Sequence, residues 1–205
     1  MFAKPVERKD PLTIGDLRFV EDKFRHSRDH DDFLFVTLLF TGFHGLNRLG
    51  EFTFPNDPSI RDWRKVIRRS SLILRPHEYT FQLPAHKADR FFEGNKVVVC
   101  AFPSSGLPFD PFPSFLRYLH SRDSLFPASS LTGDIPTRSF FMSRFHSVFS
   151  KSYGGASMRA GGATHLAKNR TPPECIRTIG RWTSDAWEVY IRVHPTVLQA
   201  LLHSQ

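Results

Sequence analysis

Cysteine is scarce in this chain of 205 residues: only Cys100 and Cys175 are present, far apart in sequence. That excludes a disulfide framework and a Cys-x-x-Cys zinc site, and makes a reducing compartment the default. No apolar run approaches the ~20 residues of a membrane helix. The start, Met1 to Asp10, lacks the apolar stretch of a signal peptide, so an intracellular protein with no membrane partner is expected. A glycine-rich phosphate loop, a serine nucleophile elbow and paired carboxylates are also missing, which removes the commonest nucleotide-binding and hydrolase signatures.

What is abundant is phenylalanine and positive charge. The 21 phenylalanines are ample for one sizeable core. Lys and Arg exceed Asp and Glu by 28 to 20, and the excess is local. Residues 60–96 carry 9 basic and 4 acidic groups and residues 144–205 carry 8 and 3, an excess of five in each block. Such a field attracts a polyanion, which makes nucleic acid the favoured partner.

The pattern along the chain is mostly helical. Residues 1–12 read as a linker and 13–205 as one domain. Thr13 with Asp16 forms a capping-box pattern opening a helix over about 13–25. Asp31 and Asp32 precede Phe33 to Phe40, apolar on every side, which reads as a buried helix whose end meets Gly42, Gly45 and Arg48. Ser71–Leu74, Tyr79–Leu83 and Lys96–Ala101 read as three antiparallel strands. Helices are expected again at about 113–121, 137–149, 157–168, 172–179, 184–191 and 196–203. The fold class is therefore mainly α with a small three-stranded antiparallel sheet.

Four separated boxes carry chemistry: Gly45-Leu-Asn-Arg48-Leu-Gly-Glu51, Lys87 in a turn between strands, Ser157-Met-Arg159, and Gly180-Arg-Trp followed by Tyr190. Their types and order resemble the catalytic domain of tyrosine recombinases and integrases, most nearly the fungal, Crypton-like DNA breaking-rejoining branch. The resemblance implies that domain's fold, duplex DNA as partner, self-association on DNA, a nuclear location and chemistry without metal or cofactor. It implies that Arg48 and Arg159 grip the scissile phosphate, Glu51 orients Arg48, Lys87 protonates the leaving 5′ oxygen and Tyr190 attacks. One further donor is Arg181 by spacing from Tyr190 or Trp182 by chemistry. Where the family carries a histidine three places before the second arginine, this chain has Ala156, which neither donates nor accepts a proton. A domain with impaired cleavage and an inactive DNA-binding module that keeps the fold are thus both expected readings.

Arg68, Arg69, His86, Arg90, Lys151 and Ser157 are the expected DNA contacts outside the catalytic set. Gly161, Gly162 and Ala163 after Arg159 suit close helix packing. His26 and His30 have the i, i+4 spacing of a metal pair but no third ligand, so a solvated helix end is the better reading. Trp187 reads as core packing.

Overall fold

The computed structural model describes residues 9–84, 94–100, 110–126 and 135–183. In order the elements are helices α1 (Ile14–Phe24) and α2 (His30–His44), strands β1 (Ile73–Arg75), β2 (Glu78–Leu83) and β3 (Asn95–Cys100), then helices α3 (Phe112–Leu125), α4 (Arg138–His146), α5 (Ser157–Lys168) and α6 (Pro173–Gly180). The expected mainly helical fold with three antiparallel strands is what forms, in the order β1-β2-β3. The helices expected at 184–191 and 196–203 lie outside the described residues.

Local chemistry sets the helix ends. The Thr13 side chain accepts the Asp16 N–H while Asp16 accepts the Thr13 N–H, the reciprocal box that starts α1. Asp29 caps α2 through the Asp31 N–H, so the helix begins earlier than its apolar run. It ends at His44, and Arg48 lies beyond it rather than at its end. Leu46 turns through positive φ there, and Arg48 is the extended residue before a 3₁₀ turn, Leu49–Glu51. Residues 57–72, between that turn and the sheet, hold three more 3₁₀ turns: Pro58–Ile60, Trp63–Lys65 and Arg69–Ser71.

Helix α2 is central and packs against α1, α3, α4 and α5. Phe35, Phe40, Phe43, Phe141 and Phe145 bury their rings around it with Leu17, Leu39 and Met158. Each such ring stabilises the fold by about 2 kcal/mol relative to exposure. A second core sits between the sheet and α3, where Tyr79 stacks on Phe115 at 3.8 Å and donates to or accepts from the Thr41 hydroxyl at 2.8 Å. A third, smaller core of Leu46, Ala163, Ile176 and Trp182 joins α5, α6 and the turn after α2.

Helix α5 lies almost backbone to backbone on its neighbours, as its glycines suggest. A Cβ on Gly162 would meet the Phe43 carbonyl oxygen at 2.0 Å, and one on Gly161 would meet the Leu12 carbonyl oxygen at 2.2 Å. The end of the segment read as a linker is held by this packing. Leu12 is buried and donates its N–H to the Ser157 carbonyl.

Candidate functional site

Glu51 is the hub of the site. Its carboxylate is 5% exposed and accepts from the Arg48 N–H (2.9 Å), the Arg48 guanidinium (3.2 Å), Asn47 Nδ2 (3.1 Å) and the Arg181 guanidinium (3.2 Å). The last contact joins residues 130 apart in sequence. A buried carboxylate with this many donors is fixed in place, and it fixes what it holds.

Arg181 ends α6 in the left-handed region, at φ +56°. That conformation costs a residue with a Cβ about 1 kcal/mol. Its guanidinium offsets the cost by donating to the Gly45, Ile179 and Leu46 carbonyls as well as to Glu51. Burial pushes the Arg181 pKa below the ordinary arginine range; nearby Arg48 acts in the same direction and Glu51 against it. The side chain therefore braces α6 against the Arg48 turn.

On the other side of the same turn, Arg159 is 3% exposed. Its guanidinium lies over the Trp182 ring at 4.1 Å and donates to the Gly180 carbonyl. Trp182 is buried, folded back over Gly180 so closely that a Cβ there would sit 1.6 Å from the ring. The Gly180-Arg-Trp turn thus carries one arginine partner on each side, Glu51 with Arg48 through Arg181, and Arg159 through Trp182. Spacing points to Arg181 and chemistry to Trp182 for one role; in the folded chain they hold different partners.

Ala156 is exposed immediately before α5 and makes no side-chain cap. Its neighbour Gly155 abuts Leu49, next to Arg48, so this edge of α5 faces the Arg48 turn. Of the expected DNA contacts, Arg68 and Lys151 are exposed. Arg69 is instead engaged by both oxygens of Asp123, at 3.1 and 2.7 Å. Ser157 differs from expectation: it is fully buried, and its hydroxyl accepts the Gly154 N–H to close the turn into α5. Tyr190, Lys87, His86, Arg90 and Trp187 lie outside the described residues. His26 and His30 do not share a helix, since α1 stops at Phe24 and α2 starts at His30.

The sequence did not assign a role to Asn47, which is fully buried with its amide on Glu51. Its signal was its place inside the Gly45–Glu51 box. The inward role of Arg181 had no sequence signal, because its partners come from another part of the chain.

No family model and no curated protein matches the chain. Among solved structures, the XerH site-specific recombinase bound to its palindromic difH substrate, a post-cleavage complex, matches with a TM-score of 0.63 at 15% identity over 96% of this chain and 53% of its own. The pre-cleavage complex of XerH with difH matches with 0.62 at 15% identity, over 100% and 56%. The chain thus spans little more than half the length of that recombinase. The likeness is one of fold: these helices and this sheet form the tyrosine recombinase catalytic-domain fold.

Proposed function

We propose that this chain is a DNA-binding tyrosine recombinase catalytic domain that breaks and rejoins strands through a 3′-phosphotyrosine link. The observation that carries the reading is the gathering of Arg48, Arg159, Arg181 and Trp182 around one turn braced by Glu51. Arg48 and Arg159, each held by its own partners around this turn, suit the non-bridging oxygens of a phosphodiester, whose charge grows in the transition state. Arg48 is the more open of the two, its side chain 38% exposed.

In this reading the Tyr190 phenol oxygen attacks phosphorus and, with Ala156 unable to accept it, gives up its proton to water. The bond to the 5′ oxygen breaks, Lys87 supplies a proton to that oxygen, and a free 5′ hydroxyl leaves. The phosphotyrosine link retains the bond energy, so the hydroxyl of the same or another strand reverses the step. The four boxes resemble those of fungal, Crypton-like enzymes, which points to a mobile-element recombinase acting in the nucleus and self-associating on DNA.

Ala156 favours a second form of the reading, a domain that binds DNA and cleaves it slowly. Loss of one donor at such a site costs on the order of 10² to 10³ in rate. The test is covalent capture on nicked suicide duplexes of randomised sequence. The chain as it stands should give little adduct, Ala156→His more, and Ala156→His with Tyr190→Phe none. Adduct surviving the loss of Tyr190 would remove it as nucleophile. No duplex binding by any of the three would overturn the functional reading.

A further inference from the structure

Between the Arg48 turn and the sheet, residues 57–72 run as a strap of 3₁₀ turns over the surface. Two large apolar side chains stand out from it, Ile60 at 65% and Trp63 at 68% exposure. Burying a tryptophan this open would gain more than burying almost any other side chain, so its exposure in a folded chain marks a contact surface. Phe54 meets the Trp63 ring edge to face at 5.1 Å, which sets the ring's direction.

The neighbours of Trp63 say what it faces. Arg64, Lys65 and Arg68 are all exposed. Asp62 engages Arg64 at 3.0 Å and attracts Lys65 more weakly, whereas among the described residues no salt bridge reaches Lys65 or Arg68. An apolar protein partner would have to strip water from these cations with nothing to replace it. A phosphate backbone replaces it directly. The strap is also tied to the proposed chemistry at both ends. It follows the Arg48 turn, and Ser71 accepts the N–H of Gln82 on β2, the strand that precedes Lys87 in sequence.

We infer that this strap is a second duplex-DNA contact, in which Trp63 and Ile60 lie on the sugar wall of a groove while Arg64, Lys65 and Arg68 meet the flanking phosphates. It rests on the DNA-binding reading above and adds a surface that does not touch the scissile phosphate.

The test uses the whole chain and a fluorescent 30-base-pair duplex of random sequence, titrated at several salt concentrations. Trp63→Ala should weaken binding about tenfold with the salt slope unchanged, and Trp63→Phe should restore most of it. Changing Arg64, Lys65 and Arg68 together to Gln should flatten the slope by roughly 2 to 3. Thermal melting of each variant checks folding, and Trp63, at an exposed site, should tolerate replacement. If the unaltered chain binds steeply with salt while every strap variant matches it, the strap is not a contact and the DNA reading stands. If instead Trp63→Ala changes only the sedimenting mass, the patch joins two copies of the chain and the inference fails. If the unaltered chain does not bind duplex at all, the DNA reading falls first.

Discussion

The inner and outer cations of this molecule are the same side chains put to different use. Arg159 and Arg181 are buried and committed to an indole face, backbone carbonyls and Glu51. Lys65 and Arg68, on the strap, stand in water. A buried guanidinium acts through geometry, because its desolvation is tolerable only with fixed partners. An exposed one acts through its field and is screened by salt within about 10 Å. Arg48 is intermediate: Glu51 holds its backbone N–H and its guanidinium, and the side chain is otherwise open.

The comparison breaks most sharply at Glu51. Glu51→Ala strips the buried Arg181 of its carboxylate, and the expected loss is about 3 to 5 kcal/mol in a urea titration. A loss under 1 kcal/mol would mean the hub is not structural. Gly180→Ala should cost about 3 kcal/mol, since Trp182 must leave its place beneath Arg159, and tryptophan emission should shift red with it. Unshifted emission would show that the ring is not seated there.

A smaller effect sharpens the contrast through pH. Burial, with His165 nearby adding to it, lowers the His44 pKa from 6.5 to about 3. The unfolded chain therefore binds the extra proton first as pH falls, so stability is full above about 6.5 and is lost progressively down to about 3. The expected loss at pH 5 is on the order of 1 to 2 kcal/mol. Urea midpoints at pH 7.5 and 5 measure it, and His44→Gln should reduce the difference between them. At the outer extreme, Lys65→Gln should change stability by less than about 0.5 kcal/mol. A larger change would make that lysine part of the fold.

Much of the architecture is legible because it depends on neighbours in sequence. Thr13 and Asp16 start α1 from three residues apart, and Ser157 to Lys168 forms a helix with the bounds its pattern suggests. The runs Tyr79–Leu83 and Lys96–Ala101 are rich in strand-forming residues, and both form strands within a residue or two. The strap was not legible, because single 3₁₀ turns have no repeat long enough to leave a period. The burial of Ser157, an expected DNA contact, is not legible because nothing in its own segment shows that the Leu12 N–H bonds to its carbonyl.

The sequence by itself determined the class of fold and the order and residue types of the four boxes, since these follow from local pattern and side-chain chemistry. Tertiary structure alone decided which arginine is a brace and which is open. It brought Arg181 onto Glu51 and set Arg159 over Trp182, because desolvation and hydrogen-bond geometry are fixed only when distant segments meet.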